Sequence, residues 1–167
     1  GLVLAVGVTT AQADEYPSKV ITLVVPFSAG GPTDTVARMI AQPMSKTLGQ
    51  TIIVENIGGA GGTIAAARVA RANPDGYTIF LHHIGMATSA TLYKKLPYNV
   101  LTDFEPIGLV TPVPMTIIAK QAMGAKDVKE FISYIKANKD NITYGNAGVG
   151  AASHLCGMLF MSAIQTD

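Results

Sequence analysis

The stretch VITLVVPFSAGGPTDTVAR (residues 20–38) contains a strand, a glycine turn and the start of a helix in close succession. Residues 20–25 are nearly continuous in β-branched and other apolar side chains, which predicts a strand buried on both faces. Residues 35–48 then carry an apolar side chain at every fourth position, namely Val36, Ile40, Met44 and Leu48. That spacing predicts an amphipathic helix that bends at Pro43 and ends at Gly49.

The same alternation continues along the chain. Residues 51–54 (TIIV) predict a second strand, GGAGG follows at residues 58–62, and residues 63–72 predict an alanine-rich helix. The turn sequence NPDG at residues 73–76 separates this helix from a third strand over residues 77–81. Strands that alternate with helices at this spacing imply parallel βαβ crossovers, so we expect an α/β fold built on a parallel sheet.

The second half of the chain is less regular, and we expect it to cross into another lobe. An apolar run interrupted by prolines at residues 104–120 is typical of an extended connector. The other predicted elements are a short helix and loop (85–103), a helix (127–138), a short strand (142–145) and an apolar helix (150–164). The predicted domains are a first lobe over residues 14–115 and the start of a second lobe over residues 116–167.

Composition excludes several classes of function. The 167 residues are 49% apolar and 14% charged, which excludes a disordered chain. The formal net charge is +1, and no basic run exceeds the pair Lys94 and Lys95. Neither nucleic acid nor an anionic membrane surface is therefore favoured as a partner, and we expect a small molecule.

The first residues, GLVLAVGVTTAQA, resemble the end of a secretory signal peptide. They are uncharged and apolar, and they finish in Ala11-Gln12-Ala13, the small-x-small pattern that precedes signal cleavage. The alternatives are a buried strand or part of a transmembrane helix, but thirteen helical residues reach only about 20 Å, short of a ~30 Å hydrocarbon core. We therefore predict that residues 1–13 are a signal-peptide remnant cleaved after Ala13 and that the mature protein is periplasmic.

The glycine pair Gly30-Gly31 indicates a binding site for an anion. Glycine allows the backbone to turn and to approach a ligand, and Pro32 suits a first helical position. A carboxylate at Asp34 then falls in the first helical turn. Unpaired N–H groups at such a helix start bind anions, although a strand-to-helix turn with glycines for geometry alone gives the same pattern.

The segment YGNAGVGAASH (residues 144–154) repeats this arrangement of strand, glycine turn and helix. The two turns are predicted to converge on one small ligand. A competing interpretation is a dinucleotide-binding oxidoreductase fragment, because residues 148–153 (GVGAAS) nearly match the Rossmann fingerprint, with Ser153 in place of its third small residue. The cluster GGAGG follows a strand and precedes a helix, a position from which it could line the same cleft. It lacks the Lys-Ser/Thr of a P-loop and is interpreted as a flexible turn.

No constellation for catalysis or metal binding is visible. His82 and His83 are adjacent at a strand end, which predicts that they point to opposite faces, and His154 and Cys156 lie two apart on a helix. Neither pair can chelate one metal alone, and Ser153 cannot face the neighbouring His154 as nucleophile and base. The single cysteine, Cys156, is interpreted as a small buried apolar residue. We expect no catalytic residue, no cofactor and no metal.

Several separated motifs resemble those of the Bug-type solute receptors, the extracytoplasmic binding proteins of tripartite tricarboxylate transporters. The resemblance runs through YPSKVITLVVPFSAGGPTDTVAR, VENIGGAGGTIAAARVARANPDGYT, LYKKLPYNVLTDFEPIGLV and YGNAGVGAASHLCGMLF. It implies a type II periplasmic binding protein fold, with two α/β lobes of parallel sheet around a cleft. It also implies an exported, monomeric protein without enzymatic activity that captures a small organic carboxylate and delivers it to the membrane components of a secondary transporter.

The resemblance places the ligand site in the glycine loops. The residues it implies are Phe27, Ser28, Ala29, Gly30, Gly31, Thr33 and Asp34 in the first loop, His83 within a further wall at residues 83–86, and Asn146, Ala147, Gly148, Val149, Gly150, Ser153 and His154 in the second loop. Ala151 stands where the family often has Ser or Thr, so its backbone N–H is expected to replace a hydroxyl contact. Met158 stands where Glu is common. Family members continue well beyond 167 residues, so we expect the second lobe to be incomplete and this chain alone to bind weakly or not at all.

Overall fold

The computed structural model describes residues 15–166. Three parallel strands form one sheet in the order β2-β1-β3, with β1 at Ile21–Val25, β2 at Ile52–Asn56 and β3 at Thr78–Phe80. In the central register, Leu23 lies opposite Val54 of β2 and Ile79 of β3. The predicted α/β architecture with parallel βαβ crossovers is confirmed. The signal-peptide remnant predicted for residues 1–13 lies outside the described residues.

Strand β1 is the centre of the main core, as its apolar sequence predicts. Ile21, Leu23, Val24 and Val25 are each no more than 1% exposed. Ala37 and Ala41 of the first helix pack on this strand, and their small side chains allow the helix backbone to lie close to the sheet. Since β1 has a neighbour on both edges and a helix over it, every other element of the sheet depends on its burial.

Helix α1 (Pro32–Leu48) begins at Pro32, which confirms the prediction from the glycine-proline turn, and this is one turn before the apolar spacing starts. Gly31 is the N-cap residue in an extended conformation, and Pro32 is the first helical residue, where the missing N–H costs no hydrogen bond. The helix continues through Pro43 and ends at Gly49, whose φ of +68° is the left-handed conformation that favours glycine. The predicted stop at Gly49 is thus confirmed.

The remaining helices of the first part form a second small core. Helix α2 (Thr63–Val69) is three residues shorter than the prediction of 63–72, and helix α3 spans Gly85–Leu92. Ala66, Ala67 and Tyr98 are buried together, and Phe80 and Phe104 pack against them. Short 3-10 turns elsewhere in the described residues include Ala60–Gly62, Gln121–Met123 and Lys139–Asn141.

The later residues contribute helices but no strand within the described part of the chain. Helix α4 spans Val128–Ala137 and helix α5 spans Ala152–Ala163. Asp127 caps α4 by accepting a hydrogen bond from the N–H of Glu130 at 2.8 Å. Phe131 and Phe160 stack with ring centres 6.1 Å apart and join the two helices.

The strand predicted over residues 142–145 is wrong. These residues adopt no regular secondary structure. A strand is stable only beside another strand that accepts its backbone hydrogen bonds, and no such partner lies beside this segment among residues 15–166. The run at residues 104–120 has no regular secondary structure and is largely exposed, as expected of a connector. The lobe boundary at residue 115 stays a prediction.

None of the helices that the structure describes combines the length and apolar character needed to cross a bilayer.

We predict that Leu23→Ala destabilises the fold strongly. Leu23 is 1% exposed at the centre of the sheet, so truncation leaves a cavity and lowers the free energy of unfolding by about 2–5 kcal/mol. Urea denaturation followed by circular dichroism measures the loss. The matched control is Leu109→Ala, at a side chain that is 89% exposed, for which a change within about 0.5 kcal/mol is expected. Equal losses for both variants would contradict this description of the core.

Candidate functional site

A groove of about 1190 Å³ opens at the carboxyl ends of the parallel strands. This is where ligands bind in open α/β sheets, because the loops that follow neighbouring strands meet there. The lining residues come from the loop after β1, the loop after β3, the glycine cluster after β2, residues 108–115 and the start of α5. The groove is therefore built by the three segments that follow strands on one side, and by residues 108–115 and helix α5 on the other.

About half of the site residues expected from the sequence line this groove. Those that do are Phe27, Ser28, Gly31, Thr33, His83, Ala147 and Ser153. The groove lining does not include Ala29, Gly30, Asp34, Asn146, Gly148, Val149, Gly150 or His154. Both loops therefore contribute to one groove. Most of the expected residues that do not line the groove shape the loops instead.

In the first loop, the glycine N–H groups are occupied within the protein. Gly30, with a φ of +80°, donates to the Asp34 carboxylate at 2.7 Å, and Gly31 donates to the carbonyl of Ser28 at 3.3 Å. The N–H groups of the glycine pair are therefore not available to a ligand. The unused donors are the N–H groups of Thr33 and Asp34 in the first turn of α1. Neither has an acceptor among residues 15–166.

Asp34 holds the first loop in place. Its side chain is 3% exposed, and its oxygens accept hydrogen bonds from Gly30 N–H, from Arg38 Nε at 2.9 Å and from Asn56 Nδ2 at 3.0 Å. The hydrogen bond from Arg38 is the largest of the effects that lower the pKa of Asp34 to about 2, followed by those from Gly30 and Asn56. Asn56 also donates to the carbonyl of Phe27 at 3.0 Å, so the end of β2 is tied to the loop after β1.

The second loop closes on itself in the same way. Ala147 N–H donates to Ser153 Oγ at 3.0 Å, Gly148 N–H donates to Asn146 Oδ1 at 2.9 Å, and Gly150 N–H donates to His154 Nδ1 at 3.3 Å. Each of these side chains therefore satisfies one loop N–H and fixes the turn.

The N–H of Ala151 cannot serve the ligand as expected, because it donates to the carbonyl of Gly148 at 3.0 Å. The free donors are instead the N–H groups of Ala152 and Ser153, the first residues of α5, which have no acceptor among the described residues. Both residues line the groove. The dinucleotide fingerprint also lacks its context here, since no strand precedes the turn at residues 148–153.

The glycine cluster at residues 58–62 is a wall of the groove as well as a turn. Gly58, Gly59 and Gly62 line the groove. Gly61 packs directly on the carbonyl of Val149, where a Cβ atom would not fit. Tyr93 Oη lies 2.8 Å from the carbonyls of both Ala60 and Val149, so it joins this cluster to the second glycine turn. The sequence feature that indicates this wall is the position of the glycine cluster directly after a strand of the parallel sheet.

His82 and His83 lie on the same side, which corrects the prediction of opposite faces. Their ring centres are 4.9 Å apart, and both rings line the groove. Strand β3 ends at Phe80, so the alternation of side chains no longer applies to them. Burial lowers the pKa of both imidazoles, and that of His82 falls to about 3.

The groove contains no charged side chain among the residues that the structure describes. Its polar lining consists of backbone groups, the hydroxyls of Ser28, Thr33, Thr111 and Ser153, and the two imidazoles. Cys156 is half-buried and lines the groove, so the expectation of a buried cysteine is only partly met. Within residues 15–166 no group of three or more His, Cys, Asp or Glu side chains is placed to hold a metal ion.

Comparison with known proteins shows to which proteins this chain is similar. A family model described as a tripartite tricarboxylate transporter family receptor matches residues 36–166. A UPF0065 protein from the TAR-I ttuE-ttuC' intergenic region of Agrobacterium vitis is 52% identical over 157 residues, which are 93% of this chain and 45% of that protein.

Two solved structures are closely similar. The periplasmic binding protein BugD is 54% identical with a TM-score of 0.88, and the match covers 91% of this chain and 51% of BugD. MatC from Rhodopseudomonas palustris with bound malate is 44% identical with a TM-score of 0.85, over 91% of this chain and 52% of MatC. The chain spans about half the length of the relatives it matches.

We predict that Asp34→Asn destabilises the protein at neutral pH and removes part of its acid sensitivity. The pKa of about 2 lies below the ordinary value of 3.8, so the stabilisation from the carboxylate is present above about pH 4 and is lost as the pH falls towards 2. Urea midpoints measured from pH 7 to pH 2 should therefore differ between wild type and variant at pH 7 and converge in acid. Asp140→Asn, at an exposed carboxylate, is the control. A constant difference at all pH values would contradict the role of Asp34.

The buried His82 makes a second contribution to pH dependence. Its folded pKa of about 3 lies below the ordinary 6.5, so between these values the unfolded chain binds a proton that the folded chain does not. Stability should therefore rise with pH across this window, by up to about 1.4 kcal/mol per pH unit, and be constant above it. His82→Asn should flatten the rise between pH 4 and about 6.5, as measured by urea denaturation. An unchanged slope would show that His82 titrates normally in the folded protein.

Proposed function

The chain belongs to the tripartite tricarboxylate transporter family receptors, and from that membership we propose that it captures a small organic carboxylate in the groove between α1 and α5. We propose further that it works in the periplasm as a monomer and presents the ligand to membrane components of a secondary transporter. The observation that carries the proposal is that two helix N-termini with unused N–H groups line one groove.

The chemistry of these helix starts suits a carboxylate. Among the residues that line the groove, the first turn of α1 offers the N–H group of Thr33, and the first turn of α5 offers those of Ala152 and Ser153. Each helix adds the positive end of its dipole, equivalent to about half an elementary charge. Backbone N–H groups and dipoles of this kind bind anions without a basic side chain.

Hydroxyl groups supplement the backbone donors. Ser153 Oγ accepts a hydrogen bond from Ala147 N–H at 3.0 Å, so its own hydrogen is free to point to a ligand oxygen. Ser28 and Thr33 line the groove on the opposite loop. A site made of uncharged donors avoids the desolvation penalty of burying a lysine or arginine beside the ligand.

Asp34, Asn146 and His154 support the site indirectly under this proposal. Each uses its side chain to hold a loop N–H, namely that of Gly30, Gly148 or Gly150, and so it fixes the backbone from which the ligand donors project. Their contribution to affinity is pre-organisation, which lowers the entropy lost when a ligand binds.

The relatives that this chain matches are about twice as long. We propose that a full-length receptor encloses the ligand more completely and binds it more tightly than residues 1–167 do, because affinity depends on how much ligand surface is removed from water.

We predict that L-malate perturbs the amide resonances of Thr33 and Ser153 together in ¹⁵N-labelled protein. Gly31→Val should weaken this binding at least about tenfold. Gly31 lines the groove, so the valine side chain enters the site, and its φ of −76° is one that valine adopts. The added Cβ atom would approach Ser28 O to 3.2 Å, so this carbonyl must shift slightly.

The matched control is Gly145→Val, because Gly145 lies outside the groove lining and has open space around its Cα. This variant should bind like wild type. No perturbation by malate or by any other small carboxylate in a panel would count against the proposal, as would identical binding by the two valine variants.

A further inference from the structure

The imidazoles of His82 and His83 form a compact aromatic cluster on the wall of the groove. His83 stacks on Phe27 with ring centres 4.4 Å apart, and His82 meets the edges of Phe27 at 5.6 Å and Phe80 at 5.2 Å. Because Phe27 belongs to the loop after β1, this cluster lies directly beside the first ligand loop. His82 thus packs against three aromatic rings and His83 against two.

Hydrogen bonds fix which ring nitrogen carries the proton. His82 Nδ1 accepts the N–H of His83 at 2.7 Å, and His83 Nδ1 accepts the N–H of Gly85 at 2.9 Å. A nitrogen that accepts a hydrogen bond from a backbone amide cannot itself bear a hydrogen, so in the neutral ring the proton lies on Nε2. Both Nε2 atoms are therefore donors.

Nothing in the described protein uses these donors. Neither Nε2 atom has an acceptor among residues 15–166, and both side chains line the groove. Gly62 packs closely against His82 Nε2, because a Cβ atom at that position would lie 2.5 Å from it. The lining of the groove holds no acidic or basic side chain that would pair with either ring.

Both rings are uncharged at neutral pH, since burial is the main effect that lowers their pKa values. Each therefore donates one hydrogen bond without bringing a charge into the groove.

We propose that His82 and His83 are a pair of fixed Nε2–H donors that bind a second acceptor group of the ligand, beyond the carboxylate held by the helix starts. This inference rests on the proposed function. The groove-lining residues Thr33, Ala152 and Ser153 each have a free helix-start N–H group, and with the Ser153 hydroxyl they match the roughly four hydrogen bonds that a carboxylate accepts. The imidazole donors are additional to these, so they favour a ligand that carries another oxygen acceptor.

The tautomeric state tests the geometric half of the proposal without any ligand. Two-bond ¹H–¹⁵N correlation spectra of the imidazole rings at about pH 7 should show His82 and His83 as neutral Nε2–H tautomers. Protonated rings or Nδ1–H tautomers for this pair would overturn the proposal.

Ligand discrimination tests the functional half. Succinate and butyrate have the same four-carbon length and differ in the second carboxylate. Wild type should bind succinate about 3- to 10-fold more tightly than butyrate, as measured by amide shift titration. His83→Phe should reduce this ratio to about 1 to 2. Phenylalanine at position 83 keeps the stacking on Phe27 and removes the donor. The second variant is His82→Leu, because a phenylalanine ring at position 82 would be larger than imidazole and would disturb Gly62.

The outcomes separate the two proposals. If both acids bind and their ratio is the same in wild type and variants, the donor role of the histidines is overturned while the helix-start site stands. If neither acid perturbs the wild-type spectrum, the proposed function fails and the ligand role of the pair fails with it, whatever the tautomer spectra show about the rings.

Discussion

The buried carboxylate of Asp34 is the interaction on which the candidate site depends. It joins the loop after β1, helix α1 and the end of β2 by accepting hydrogen bonds from Gly30, Arg38 and Asn56. Such a carboxylate is stable in the interior only because each of its hydrogen bonds is charge-assisted. The result is a rigid turn whose own glycine N–H groups are satisfied, while the first-turn N–H groups of α1 remain available to a ligand.

In the second loop, neutral side chains accept the hydrogen bonds of the turn N–H groups. Asn146, Ser153 and His154 each hold one N–H of the turn, and the start of α5 is left with unused donors. Tyr93 and the glycine cluster after β2 then connect this loop to the first part of the chain. Two helix starts thereby face one groove in which no charged side chain of the described residues takes part.

Local pattern predicted the elements whose formation is local, and it failed where the outcome depends on a partner. The β-branched run and the four-residue apolar spacing were sufficient to predict β1 and α1. The burial of a strand and the amphipathicity of a helix follow from the residues of the element itself. The strand expected at residues 142–145 was wrong because a strand needs a neighbour. His82 and His83 were assigned opposite faces because the end of β3 at Phe80 could not be located from sequence. The sequence predicted free N–H groups at the helix starts, but it could not predict which loop N–H groups are occupied, since side-chain hydrogen bonds decide that.

The central claim is that one ligand carboxylate is held by both helix starts. A crystal structure of the protein with L-malate tests it most directly. The account predicts carboxylate oxygens at about 2.7–3.2 Å from the backbone nitrogens of the first turns of α1 and α5, with no lysine or arginine in contact. A malate carboxylate bound by a basic side chain, or one that contacts neither helix start, would contradict it.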